Sequence, residues 1–146
     1  MSRKPEQKLW DRLREARPPG LLLERMENAV GEGRPDVDAL FKGLVTPTEL
    51  KRQPLLPAKI ETPVFGDRKG LSVEQRNWHL RWSQHGGRSL IIAEAGTWLF
   101  AWDGRHADEF NDAKLEKLLL RALWSAQAGG AQELMMRTMC SRHWRG

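Results

Sequence analysis

The sequence predicts an α/β fold in which helices flank a mixed central β-sheet. Ser72 and Gln75 form the capping box that typically opens a helix. Lys42-Gly43 stands between two apolar runs, as the two-residue turn of a β-hairpin does. The continuous apolar run Leu90-Ile91-Ile92 is typical of a strand buried on both faces. The predicted order is helix, three strands, helix and strand (αβββαβ), followed by a further strand and extra C-terminal helices.

Length and composition limit the class of protein. The chain has 146 residues, of which 40% are hydrophobic and 29% charged, so we expect one soluble domain over 1–146 with a substantial core. Within it we expect the main fold over about 5–102 and a helical appendage over about 108–146. The seven Trp residues are expected in the core or at a subunit interface, with base stacking as the alternative.

Charge and cysteine content bear on partners and compartment. A net charge of +5 is compatible with an anionic partner such as nucleic acid. The single Cys140 excludes an internal disulfide, and its spacing to His143 gives only one weak metal-like pair. The polar N-terminus does not resemble a signal peptide, and no run has the length of a membrane span. We therefore expect a cytoplasmic protein without a membrane partner.

The first helix is predicted over 5–16. Leu9, Trp10 and Leu13 form an apolar face at helical spacing, and Arg17-Pro18-Pro19-Gly20 ends the helix. Glu6 precedes this face by one turn. It either lies at the margin of the buried face or complements the positive helix N-terminus.

A strand is predicted over 21–29, and the hairpin follows it. A turn at Lys42-Gly43 places Leu40 opposite Val45, Asp38 opposite Pro47 and Asp36 opposite Glu49. Because Pro47 cannot donate to a strand ladder, we expect a bulge or an unpaired position there.

The hairpin is expected to gather charged side chains on one face. Side chains alternate along a strand, so Glu49 and Lys51 point to the same side and Leu50 to the opposite side. Asp36 would join them from the facing strand. Two carboxylates and one ammonium group suit a divalent cation with a water nucleophile beside it; two ordinary surface acids are the alternative.

The stretch over 53–70 is rich in Pro and basic residues and is predicted to be a long loop, with a short extended piece at 60–65. Its charge favours either a solvated surface or contact with phosphate.

The second half begins with the helix predicted over 71–84, in which capping alone would explain Gln75. Strands are expected over 88–95 and 97–102. A helix beginning at Asp108 or Asn111 is expected to run to about Gln127. A last short helix is expected to turn Leu134, Met135 and Met139 inward.

Taken together, these motifs resemble a known family. They are Gly33-Arg34-Pro35-Asp36, Glu49-Leu50-Lys51 and Leu71-Ser72-Val73-Glu74-Gln75, in this order after a helix bearing Glu6. The chain resembles the PD-(D/E)XK nuclease superfamily, with its restriction-endonuclease-like core. It is most similar to the virus-type replication-repair nuclease (VRR-NUC) branch, which is related to Holliday-junction resolvases. The resemblance covers Glu6 to Trp102.

The resemblance implies a metal site. Asp36, Glu49 and the Leu50 backbone carbonyl would bind Mg²⁺ or Mn²⁺. Glu6 matches the acid of the family's first helix, and would act on the ion through water or hold a second ion. Glu24 or Glu27 could take its place.

The resemblance also implies catalytic roles and contacts to DNA. Lys51 would orient or help deprotonate the attacking water and offset charge on the phosphate. Gln75 matches the family's helix glutamine, near the lysine and the phosphate. The basic residues expected to contact nucleic acid are Arg34, Arg52, Lys59, Arg68 and Lys69.

Two functions follow as hypotheses. The first is a metal-dependent DNA endonuclease that acts in recombination or repair on duplex or branched DNA such as Holliday junctions. It would work as a homodimer in a bacterial or phage-infected cell, without an organic cofactor. The second is a non-catalytic nucleic-acid-binding protein on the same fold.

Overall fold

The computed structural model describes residues 5–26, 33–127 and 129–144. The first half contains α1 (Pro5–Glu15), β1 (Leu22–Arg25), β2 (Val37–Phe41), β3 (Leu44–Gln53) and α2 (Val73–Gln84). The second half contains β4 (Leu90–Ala95), β5 (Trp98–Asp103), α3 (Ala107–Phe110), α4 (Leu115–Arg121), β6 (Trp124–Gln127) and α5 (Ala131–Arg137). A 3₁₀ turn, Gly104–His106, links β5 to α3.

The strands form one sheet in the order β1-β2-β3-β4-β5-β6. The pair β3–β4 is parallel, and every other neighbouring pair is antiparallel. The crossover between the parallel strands carries α2, as a parallel pair requires. The predicted α/β class, with a mixed sheet flanked by helices, is confirmed.

The hairpin β2–β3 has the predicted register. Leu40 pairs with Val45 and Asp38 with Pro47. Lys42 and Gly43 both have positive φ (49° and 83°), as a two-residue turn matched to the strand twist requires. The expected bulge is absent from this hairpin, because the register advances evenly through Pro47. Pairing with β4 begins only at Thr48, so Pro47 has no ladder partner on that side.

Two apolar clusters lie on the two faces of the sheet, because successive strand residues point to opposite sides. One packs beneath α1 and α5; its members include Leu9, Leu13, Val37, Leu50, Ile92, Leu134 and Met139. The other packs against the segment before α2 and against α3 and α4; its members include Phe65, Leu71, Ile91, Phe100, Trp102, Phe110 and Leu118. Glu49 and Lys51 face the second side.

The long loop over 54–72 lacks regular strand structure. The extended piece predicted at 60–65 is wrong, since turns and bends occupy this stretch. Burial of Val64 and Phe65 fixes the loop on the core, which short turns achieve as well as a strand. Two hydrogen bonds of 2.8 Å join Asn111 to the backbone of Leu71 and so fix the start of α2.

The prediction of a single helix running to Gln127 is also wrong. It is replaced by α3 and α4, and the chain becomes extended at Ala122. Leu123 then donates its N–H to the Ala101 carbonyl at 2.8 Å, and β6 pairs with β5. The open edge of β5 outweighs the helical pattern, because unpaired strand groups need partners.

The remaining elements follow the predictions closely. The predicted strand over 21–29 is seen as β1, and 27–29 lie outside the described residues. The short C-terminal helix is present as α5, with Leu134 and Met135 buried. No helix in the described ranges is long and apolar enough to cross a membrane.

Candidate active site

Asp36 and Glu49 lie on neighbouring segments of the sheet: Asp36 immediately precedes β2, and Glu49 is in β3, near the start of its parallel pairing with β4. The β2–β3 pairing ends with Val37 opposite Thr48, so one further step of the register sets Asp36 opposite Glu49. The Met26 N–H donates to the Asp36 carbonyl at 2.6 Å, which ties Asp36 to the end of β1. Glu49 is 5% exposed. The hairpin therefore brings two acids together, as its register predicted, with Glu49 buried and Asp36 half-buried.

Both carboxyls are held in conditions that disfavour their charge. Burial raises the pKa of Asp36; the nearby charges of Arg25 and Lys51 oppose this, and Glu6 adds to it. Burial raises the pKa of Glu49 to about 8, with Asp36 adding to the rise and Lys51 opposing it. The two acids therefore lack enough positive charge nearby to stabilise both as carboxylates.

One oxygen of this pair is unsatisfied. Asp36 Oδ1 is buried and accepts no hydrogen bond from the described residues. A buried acceptor without a partner is destabilising by about 1–3 kcal/mol, so such atoms are rare outside functional sites. An unpartnered carboxylate oxygen beside a second buried carboxyl fits a hard divalent cation, for which anionic oxygen is the preferred ligand.

Further side-chain ligands are scarce. Within the described ranges, no three His, Cys, Asp or Glu side chains come together as a metal centre, so Cys140 and His143 also gain no third ligand. Mg²⁺ commonly binds one or two carboxylates and fills its other positions with water and substrate phosphate. The donor set of Asp36 and Glu49, with the Leu50 carbonyl between Glu49 and Lys51, therefore suits Mg²⁺ or Mn²⁺.

Gln75 makes use of both ends of its amide. Its Oε1 accepts from the Ser72 N–H at 2.9 Å and the Ser72 Oγ accepts from the Gln75 N–H at 3.1 Å, which completes the predicted capping box. Its Nε2 also donates to Glu49 Oε2 at 3.2 Å. Capping and contact with the site were alternative interpretations of Gln75 in the sequence, and the structure shows both at once.

Gly33 brings the Pro-Asp segment against the first turn of α2. It has a positive φ of 80°, and a Cβ at this position would lie 2.1 Å from the Glu74 carbonyl oxygen. Only glycine allows this approach. The contact fixes the segment before Asp36 next to the turn that carries Gln75.

Lys51 faces the same side of β3 as Glu49 and is half-buried. Its charge acts on Asp36, on Glu49 and on His79. It forms no ion pair with any residue that the structure describes. The ammonium group is therefore near both acids and remains free to act on a bound anion.

Glu6 lies in the first turn of α1, and its charge acts on both Asp36 and Glu49. Glu24, one of its two predicted substitutes, is exposed on β1 and pairs with Asp38. The other, Glu27, lies outside the described residues.

Two of the basic residues predicted to contact nucleic acid are held by carboxylates. Arg34 is 3.0 Å from Asp38. Arg52 donates to the buried Glu94 at 2.5 Å, on the sheet face opposite Glu49, and Glu94 also binds Arg12. Alternation along β3 turns the Arg52 side chain away from Glu49 and into this ion pair.

The other three predicted basic contacts remain accessible. Lys59, Arg68 and Lys69 are all exposed in the loop before α2.

The sequence analysis did not identify His79. It is fully buried; its Nδ1 lies 2.6 Å from Ser89 Oγ, and its Nε2 has no partner among the described residues. Burial lowers its pKa to about 4, and the charge of Lys51 adds to this. Its position four residues after Gln75, on the same helix face, was the available signal.

Comparisons with known proteins give matches among solved structures alone. Neither a scan of protein families nor a search of curated proteins produced a match. Among solved structures, the chain is similar to Hjc, a Holliday junction resolvase of the archaeal hyperthermophile Archaeoglobus fulgidus, with 16% sequence identity and a TM-score of 0.44. The similarity covers 69% of this chain and 75% of that one.

Proposed function

We propose that this protein is a metal-dependent nuclease that hydrolyses phosphodiester bonds in DNA. The observation that carries the proposal is the acid pair of the half-buried Asp36 and the buried Glu49. Asp36 Oδ1 is buried without a partner among the described residues, and the pKa of Glu49 is raised to about 8. A binding protein gains nothing from burying two acids beside DNA, because they repel its phosphates. A hydrolase gains a place for a cation next to the reacting phosphate.

Each residue has a role that fits its position. Asp36 and Glu49 would hold Mg²⁺ or Mn²⁺ together with the Leu50 carbonyl, and the bound cation would stabilise charge on the phosphate. Lys51 orients the attacking water and stabilises the negative charge that develops on the phosphate oxygens. Gln75 holds the Glu49 carboxyl in place through Nε2.

Glu6 has a supporting role. From the first turn of α1, it acts on the ion through water or holds a second ion. The negative charge of Glu6 raises the pKa of both acids, which supports giving this role to Glu6 and not to the exposed Glu24.

The finer assignments rest on the motifs. The resemblance to the VRR-NUC branch supports a choice of branched DNA, a homodimer, and a recombination or repair role in a bacterial or phage-infected cell. The exposed Lys59, Arg68 and Lys69 would contact the phosphate backbone. The whole chain would act as one nuclease domain, without an organic cofactor.

The test is a cleavage assay on several forms of DNA. Supercoiled plasmid, linear duplex and a four-way junction are incubated with the protein in Mg²⁺, in Mn²⁺ and in EDTA. We expect cleavage only with a metal, and its loss in Asp36→Ala and in Glu49→Ala. Asp38→Ala is the matched control, since Asp38 lies two residues from Asp36 but pairs with Arg34.

Two results would count against the proposal. Cleavage that persists in both Asp36→Ala and Glu49→Ala would exclude the proposed site. DNA binding without cleavage of any DNA form would favour the second hypothesis, a non-catalytic nucleic-acid-binding protein.

A further inference from the structure

Arg25, near the acid pair, has a neutral partner where Arg34 and Arg52 have carboxylates. Arg34, for example, is neutralised by Asp38 at 3.0 Å. Arg25 forms no ion pair with the residues that the structure describes. Its Nη1 instead donates to the Gln7 side-chain oxygen at 2.6 Å. A neutral amide orients the guanidinium group without pairing its positive charge, which acts on Asp36 at a distance.

Arg25 lies directly beside the candidate active site. It is the last residue of β1 and pairs with Val37, which follows Asp36. The next residue, Met26, donates its N–H to the Asp36 carbonyl. The Arg25 side chain also reaches the first turn of α1 through Gln7, which adjoins Glu6 in sequence. The Arg25 side chain lies on the sheet face that carries α1, opposite Glu49 and Lys51, and its charge acts on Asp36 at the margin of the acid pair.

Among the residues that the structure describes, the guanidinium group of Arg25 has only Gln7 as a hydrogen-bond partner. It carries five N–H groups, and the bond to Gln7 uses one of them. The guanidinium carbon lies over the Trp10 ring, 5.8 Å from its centroid, within range of a cation–π contact. A half-buried, oriented guanidinium with free donors is suited to an anion with two oxygens in a plane, and phosphate accepts such a fork.

We propose that Arg25 binds a phosphate of the DNA backbone next to the phosphodiester that is cleaved. This inference rests on the proposed function, because it names the residue that positions the same substrate. Gln7 holds the guanidinium in place before DNA arrives. Arg25 is thus a DNA contact that lies outside the motifs identified in the sequence.

The test measures DNA binding by the full chain, separately from cleavage. Binding of a fluorescent four-way junction and of linear duplex is followed by anisotropy in EDTA over a series of salt concentrations. Loss of one phosphate contact lowers the slope of log affinity against log salt by about 0.9. We expect this decrease in Arg25→Gln, together with weaker binding at every salt concentration.

Arg14→Gln is the matched control. Arg14 also lies near the Trp10 ring, at 5.6 Å, but it is exposed on α1 and bonded to Asp11. The Arg14→Gln variant removes the same charge as Arg25→Gln, and we expect the salt slope of Arg14→Gln to equal that of the wild type. Arg25→Lys keeps the charge but loses the planar fork, so we expect it to keep the slope and bind more weakly. Thermal midpoints show that each variant is folded.

The outcomes separate this inference from the proposed function. An unchanged salt slope in folded Arg25→Gln, while the wild type cleaves DNA, would overturn the role of Arg25 and leave the nuclease intact. A reduced slope with no cleavage by the wild type would support Arg25 as a phosphate contact in a binding protein. A wild type that binds no DNA would overturn both.

Discussion

The acid pair creates an electrostatic conflict, because two groups that are negative when ionised lie close together away from water. Asp36 and Glu49 are brought together by the hairpin, and burial raises the pKa of each. Lys51 relieves this conflict only in part. A divalent cation would relieve it fully, so the same residues that destabilise the metal-free protein at high pH would bind metal there.

This conflict predicts a pH dependence of stability. The pKa of Glu49 is about 8 in the folded chain and 4.5 as the ordinary value, so the folded state binds more protons between these values. Stability therefore falls as pH rises through this window. We expect the thermal midpoint of the metal-free protein to fall between pH 6.5 and pH 8.5, a range above the ordinary His value of 6.5, where His79 contributes little.

Glu49→Gln removes the titrating group. We expect its thermal midpoint to change little over the same pH range, whereas Asp38→Asn should follow the wild type. Equal pH dependence in Glu49→Gln and the wild type would contradict the assignment of the raised pKa to Glu49.

A second residue-scale prediction separates the two functions of Gln75. Ser72→Ala removes the cap acceptor alone and should destabilise the protein by about 1 kcal/mol without slowing cleavage. Gln75→Ala removes its cap bond and also leaves Glu49 Oε2 without its donor. We expect a similar loss of stability and a cleavage rate reduced by tenfold or more. Equal cleavage rates in the two variants would show that Gln75 only caps the helix.

Residue-level prediction succeeded where chemistry was local. Alternation along β3 was sufficient to place Glu49 and Lys51 on one face. It also places Arg52 on the other, but its pairing with Glu94 depends on strand β4, 42 residues away in sequence. His79 was missed for a similar reason, because its burial depends on Ser89 and on the chain around Gly104.

At the scale of elements, the site depends on how the hairpin meets α2. Gly33 makes this contact, and its Cβ would lie 2.1 Å from the Glu74 carbonyl. The hairpin turn has another glycine of positive φ, Gly43, which has no atom within 4 Å of the same position. Both glycines have a positive φ, but only Gly33 has other atoms close to the position that a Cβ would occupy.

This difference yields a matched pair of variants. Gly43→Ala should destabilise the protein by about 1 kcal/mol, from backbone strain alone. Gly33→Ala adds a collision with backbone, so we expect a larger loss of stability and slower cleavage, since Asp36 and Gln75 would move apart. Denaturant unfolding and cleavage rates measure both. Equal losses in the two variants would show that the contact with Glu74 does not position the site.

Element boundaries were predictable where turn chemistry was strong. Lys42-Gly43 determined the hairpin register, and Ser72 marked the start of α2. The helical pattern up to Gln127 led to a wrong prediction of helix where β6 lies, because the sequence alone does not show that β5 has an open edge. Pairing of β6 with that edge depends on the completed sheet.

At the scale of the whole molecule, the C-terminal region completes the fold. β6 covers the edge of β5, and the buried Leu134, Met135 and Met139 contribute to the cluster beneath α1. Arg88 further ties this region to the sheet, since it donates to the Thr138 and Met139 carbonyls. We therefore expect a chain truncated after Asp103 to be unfolded.

Circular dichroism and proteolysis of the truncated chain measure this. Removal of 145–146 alone is the control and should leave the fold unchanged. A truncated chain that folds and unfolds cooperatively would show that the C-terminal region is a true appendage.

We propose that Asp36 and Glu49 hold a divalent cation, and calorimetric titration with Mn²⁺ measures this binding. At pH 7 we expect the wild type and Asp38→Asn to bind equally. Their binding heat should vary with the ionisation enthalpy of the buffer, because Glu49, with a pKa of about 8, must lose its proton. Asp36→Asn should bind at least tenfold more weakly. Unchanged Mn²⁺ binding by Asp36→Asn would contradict the claim.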